Sequence, residues 1–127
     1  MNTITTRLRV LISDDDPMIR DALREVLESE PDIDVVGVAG DADEAIALAV
    51  EHVPAVVVLD VRMPGGGGPR AAREILNRAP RTRILAFSAY DDSGTVAEMM
   101  RAGIVEYLLK GAPNTEIVAA VRRAGTG

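Results

Sequence analysis

Three short, unbroken apolar runs set what this chain can fold into: residues 8–13 (LRVLIS), 55–60 (AVVVLD) and 83–88 (RILAFS). Each is too short and too continuous for a surface helix, and Val/Ile/Leu enrichment suits a strand buried on both faces. They predict the central strands of a parallel sheet. Two weaker patterns, 34–39 (DVVGVA) and 105–109 (VEYLL), complete a set of five and suit positions nearer the sheet edges.

Between the strands the apolar spacing changes to three and four residues. In 17–29, Ile19, Leu23, Val26 and Leu27 form a core stripe, with Arg20, Asp21, Arg24 and Glu25 on the wet side. Over 41–51, Asp41 with Glu44 three residues on reads as a helix start, and Ala45, Ile46, Leu48 and Ala49 as the packing stripe. Segments 69–79, 93–102 and 114–123 follow the same pattern. The first opens on Pro69 and the second stops at Gly103. Asp16, just before Pro17, is placed to cap the first helix.

Five strands alternating with five helices demand right-handed crossovers and a parallel sheet covered on both sides. Ligand chemistry in such sheets lies beyond the carboxyl ends of the strands, where the strand order reverses. The sequence meets that expectation. The first strand ends in Asp14-Asp15-Asp16, the third in Asp60, the fourth in Ser88 and the fifth in Lys110.

At 127 residues, 47% of them apolar, the chain suits one domain with a real core. We assign that domain to residues 7–124, and 125–127 to a frayed end or the start of a linker. The absence of cysteine removes disulfides and thiolate metal sites and fits a reducing cytoplasm. No apolar run approaches the ~20 residues of a membrane span, and the first ten residues lack a signal-peptide core. A formal charge of −6, from 20 acidic and 14 basic side chains, argues against nucleic-acid binding by this domain. The only aromatic residues, Phe87, Tyr90 and Tyr107, provide no stacking platform for bases.

Three carboxylates, a hydroxyl and an ammonium in one crevice call for a cation, because like charges a few ångströms apart repel. Mg²⁺ suits an all-oxygen donor set and accepts one or two carboxylates plus a phosphate. With no cysteine and one histidine, softer metals are poorly served. His52, near a helix end, reads as a solvated side chain.

Four segments, VLISDDDP, VVVLDVRMPGGGG, ILAFSAYDD and AGIVEYLLKGAP, resemble in order the signature segments of two-component response-regulator receiver domains. The SAYDD and EYLLK wording is most similar to the NarL/LuxR-like subfamily. The resemblance implies a flavodoxin-like (CheY-like) doubly wound α/β fold with five parallel strands ordered 2-1-3-4-5. It further implies that Asp60 accepts a phosphoryl group from a sensor histidine kinase. Asp15 would bind Mg²⁺ directly, Asp14 would hold a metal water, and Asp60 and the Arg62 backbone carbonyl would be further ligands. Ser88 and Lys110 would contact phosphoryl oxygens. Ser88 and Tyr107 would form a switch that reshapes the output surface, although Tyr107 also reads as ordinary edge-strand packing.

Such a protein is a signalling switch that assists only its own phosphorylation and dephosphorylation, and is not otherwise an enzyme. The resemblance implies a phosphorylation-promoted homodimer and control of transcription. DNA would be reached through a C-terminal helix-turn-helix domain outside this chain, and no membrane contact is implied. Departures are few. Gly67 stands where receivers often carry an acid, leaving Gly65–Gly68 unbroken, an arrangement expected to loosen the loop. That run lacks the GK[ST] ending of a nucleotide-binding loop and suits turn geometry before a helix. Arg62 and Tyr90 occupy positions that tune water access in this family, and their bulk is expected to slow dephosphorylation. Two rivals remain. A haloacid-dehalogenase-like phosphatase needs an acid two residues after Asp60, where this chain has Arg62. A constitutive pseudo-receiver would keep the fold as an interaction module without phosphorylation.

Overall fold

The computed structural model describes residues 7–126. Strands β1 (Leu8–Ser13), β2 (Ile33–Ala39), β3 (Val56–Leu59), β4 (Arg83–Ser88) and β5 (Glu106–Leu109) alternate with helices α1 (Pro17–Glu28), α2 (Ala42–His52), α3 (Gly67–Arg78), α4 (Ser93–Arg101) and α5 (Asn114–Thr126). All strand pairs are parallel, in the order β2-β1-β3-β4-β5, so the two weakest apolar patterns occupy the edges.

The period-2 alternation of the strands divides the core between the two faces of the sheet. Leu11, Val57, Leu59, Ile84 and Ala86 face one way, against Ala45, Ile46 and Ala49 of α2, Ala71, Ala72 and Ile75 of α3, and Met99 of α4. Val10, Ile12, Val56, Val58, Leu85 and Phe87 face the other, against Leu23 and Leu27 of α1 and Ile117, Val118 and Val121 of α5. The continuous apolar runs therefore come from a sheet covered on both sides.

Helix starts follow their capping chemistry. Asp16 Oδ1 accepts from the Met18 amide at 2.9 Å, and Asp41 Oδ1 from the Glu44 amide at 2.8 Å. Glu44 reaches back to the Gly40 amide at 2.7 Å, one residue earlier than a simple capping box requires. Asp92 caps α4 by accepting from both the amide and the hydroxyl of Thr95.

Two expectations change. First, α3 starts at Gly67 and not at Pro69, because Gly66 with φ of 100° makes the turn that its side chain cannot cap. Second, α5 continues through Gly125 and Thr126, and Gly127 lies outside the described residues, as do the first six of the ten residues that lack a signal-peptide core. Among the described residues, no helix is long and apolar enough to cross a membrane.

Val53 caps α2 with φ of 44°, a left-handed conformation that a β-branched side chain resists. Its side chain is exposed, so little packing depends on it. Asn tolerates this region. Val53→Asn should therefore raise unfolding stability by about 1 kcal/mol in a urea titration; an unchanged or lower midpoint would show that the strain is relieved elsewhere.

Candidate functional site

Strand order reverses between β1, which continues to β2, and β3, which continues to β4 and β5. Asp14 and Asp15 follow β1 and Asp60 follows β3, so the acids meet at the carboxyl end of the sheet beside that switch point. Carboxylate oxygens of Asp14, Asp15 and Asp60 all lie within 4.8 Å of one another. Asp14 and Asp60 are almost fully buried, whereas Asp15 is exposed.

Lys110, just beyond β5, supplies the counter-charge. Its Nζ is 2.7 Å from Asp14 Oδ2 and 3.4 Å from Asp60 Oδ2. The closer contact is charge against charge off the hydrogen-bonding direction, which leaves Asp14 Oδ2 a buried acceptor with no hydrogen bond. Burial pushes the Asp60 carboxyl from its ordinary value of 3.8 up to about 6, the Asp14 charge adds to this, and Lys110 only partly offsets it. For Lys110, burial works to lower the pKa, but the close contact with the Asp14 carboxylate and the charge of Asp60 leave it raised. The pocket thus holds more negative charge than its one ammonium balances.

That imbalance, the unsatisfied Asp14 oxygen and an all-oxygen donor set fit a hard divalent cation. Asp14, Asp15 and Asp60 would hold it. The Arg62 peptide borders the same space, with its amide 3.5 Å from Asp60 Oδ1.

Ser88 is fully buried at the end of β4, where its Oγ accepts from the Tyr90 amide at 3.0 Å and its carbonyl accepts from the Lys110 amide at 2.8 Å. Tyr107 packs half-buried on the core that α2, α3 and α4 cover, and its hydroxyl donates to the Tyr90 carbonyl. The two residues read as a switch are therefore joined through the Tyr90 backbone. His52 is half-buried beside Glu51, and its carbonyl accepts from Arg9.

Several contacts were not visible in the sequence. The Arg62 guanidinium carbon sits 3.9 Å from the Tyr90 ring centroid, a cation–π contact that joins the loops after β3 and β4. The glycine run does geometric work: Gly65, Gly66 and Gly67 all have positive φ. A Cβ on Gly68 would lie 2.7 Å from the Asp60 carbonyl oxygen, so this glycine lets α3 pack directly against the Asp60 backbone. Arg20, placed on the wet face by its spacing, instead turns its Nη1 to the Asp14 carbonyl at 2.8 Å. Its helical position gave no sign of this, because the partner belongs to the loop preceding the helix.

Residues 10–122 match the response regulator receiver domain family. The chain is 39% identical over 95% of its length to the uncharacterized transcriptional regulatory protein YxjL of Bacillus subtilis, covering 56% of that protein. It is 38% identical over 94% of its length to the transcriptional regulatory protein LiaR of the same organism, covering 57% of it. It thus spans little more than half the length of these curated relatives. Among solved structures, the signal receiver domain of the NarL response regulator from Mycobacterium tuberculosis superposes with a TM-score of 0.93 at 35% identity, covering 96% of this chain and 98% of that one.

Proposed function

The chain belongs to the response regulator receiver domain family, of the type found in NarL/LuxR-like transcriptional regulators, and from that premise we propose that it is a phosphorylation-dependent switch with Asp60 as phosphoryl acceptor. The observation that carries the reading is the Asp14–Asp15–Asp60 cluster with Lys110 reaching two of its carboxylates. An Asp60 carboxylate oxygen attacks phosphorus in line. The phosphorus–nitrogen bond of a kinase phosphohistidine breaks as the new oxygen–phosphorus bond forms, and its electron pair returns to the imidazole. Lys110 offsets charge on the phosphoryl oxygens, and the Ser88 hydroxyl gives up the Tyr90 amide to donate to one of them. Asp15, Asp60 and the Arg62 carbonyl would hold Mg²⁺, with Asp14 holding one of its waters, and the ion would supply the remaining charge neutralisation. Positioning and electrostatics account for the catalysis, so the protein assists its own modification and turns over no other substrate.

Movement of Ser88 would pass through the Tyr90 backbone to Tyr107 and bias the α4–β5 surface, a population shift driven by contacts made only to the phosphorylated state. The output is transcriptional control in the cytoplasm, through a phosphorylation-promoted homodimer and a helix-turn-helix domain outside this chain. Incubation with Mg²⁺ and acetyl phosphate, followed by peptide mass mapping, tests the reading. Stable phosphorylation confined to Asp60 is expected. Continuous turnover would favour the phosphatase, and no modification the constitutive module.

The Arg62–Tyr90 contact spans the approach for hydrolytic water. Arg62→Ala and Tyr90→Ala should each speed loss of the Asp60 phosphoryl group several-fold. The double variant should add less than the sum of the two, with a coupling of about 0.5–1 kcal/mol, because each single change already breaks the same contact. An unchanged decay rate in the double variant would refute the shielding role.

A further inference from the structure

We infer that Arg20 is a positioning residue for the cation site, acting through the backbone of the Asp14–Asp15 pair. The inference rests on the metal reading of that site. Arg20 grips the loop after β1 twice: its amide donates to the Asp16 carbonyl at 3.0 Å, as the first turn of α1 requires, and its Nη1 donates to the Asp14 carbonyl at 2.8 Å. The rest of the Asp14 residue is also held. Its amide donates to the Ala39 carbonyl at 3.0 Å, and its Oδ1 accepts from the Asp16 amide at 2.9 Å. Its Oδ2 meets Lys110 Nζ at 2.7 Å, and Arg20 is the side chain that holds the carbonyl. Without Arg20 the peptide joining Asp14 to Asp15 loses the side-chain restraint on its carbonyl, and with it the setting of the backbone from which the exposed Asp15 carboxylate leaves.

Gly40 makes the space for this grip. A Cβ there would lie 2.9 Å from Arg20 Nη1, with the Glu44 carboxylate 3.8 Å away. The Gly40 amide is fixed by Glu44 Oε1, so the loop after β2 holds one wall of the guanidinium slot. Arg20 is half-buried in that slot, so water does not readily replace it as the donor.

A charge effect and a positioning effect predict opposite signs. Removing a nearby positive charge by itself favours cation binding, whereas releasing the Asp14 carbonyl weakens it. The test is calorimetric titration of the full chain with Mg²⁺ alone, at fixed pH and ionic strength, with melting temperatures recorded in parallel. Arg20→Met is expected to raise the Mg²⁺ Kd about tenfold, the low end of what such supporting contacts contribute. Gly40→Ala is expected to do the same while keeping the charge, since its methyl displaces only the flexible end of Arg20 and leaves the fold intact. Arg20→Lys, which keeps one donor and the charge, should restore part of the affinity. If Mg²⁺ affinity is equal or tighter in both Arg20→Met and Gly40→Ala, while Asp15→Asn abolishes binding, the inference about Arg20 is overturned and the metal site stands. Wild-type protein that shows no saturable Mg²⁺ binding, or binding that Asp15→Asn leaves unchanged, overturns the metal reading and this inference with it.

Discussion

Asp60→Asn is expected to leave the protein unmodified by acetyl phosphate and Mg²⁺, and to make the metal-free fold more stable at pH 7. The first effect follows because an amide cannot replace the attacking carboxylate. The second follows from the raised carboxyl pKa, about 6 in the fold against an ordinary 3.8. Between these values the folded protein binds a proton that the unfolded chain has released. Stability therefore falls as pH rises through that window and stays lowered above it. The displacement corresponds to at most about 3 kcal/mol. Solvent that reaches the open side of the site screens part of it, leaving an expected gain of about 1–2 kcal/mol for Asp60→Asn at neutral pH. Urea titrations in chelator at pH 4 and pH 7 check the sign: the two proteins should converge at the acidic value and separate at the neutral one. An Asp60→Asn protein that still accepts a phosphoryl group would place the acceptor elsewhere.

Lys110→Met should have the opposite effect on the metal-free fold. It leaves buried Asp14 and Asp60 facing one another with no cation, and removing one partner from a buried ionic cluster costs about 3–5 kcal/mol. The Asp60 carboxyl can relieve part of this by taking up a proton, so the loss should be larger at pH 8 than at pH 5. Millimolar Mg²⁺ should restore most of the stability, since it supplies the missing positive charge. Phosphorylation by acetyl phosphate should still slow by about 10²-fold or more, because a cation held by the carboxylates does not replace the donor aimed at the remaining phosphoryl oxygen. Equal stability of Lys110→Met and wild type in chelator would show that the ammonium does not hold the carboxylates together.

These results depend on features that differ in how readily the sequence reveals them. The apolar runs at 8–13 and 83–88 are strands over their whole length, and the acids at the strand ends converge as the alternating pattern requires. Local periodicity governs both, because a strand buried on two faces has no polar positions to spare. The start of α3 shifted because backbone geometry, not periodicity, decides it. At α3 the positive φ of Gly66 starts the helix ahead of Pro69. The glycine run, expected to loosen its loop, provides three residues of left-handed backbone and a close approach to the Asp60 backbone.

By itself, then, the sequence determined the sheet, its four crossovers, and which oxygen-bearing side chains lie at its carboxyl end, because each of these follows from spacing along one segment. Tertiary structure alone decided that Lys110 meets Asp14 more closely than Asp60, that Arg62 stacks on Tyr90, and that Arg20 leaves the solvent face to grip the Asp14 carbonyl. Each of these contacts depends on where a long, flexible side chain ends. A side chain of that length can reach several partners from one backbone position, and only the packing of neighbouring loops selects among them.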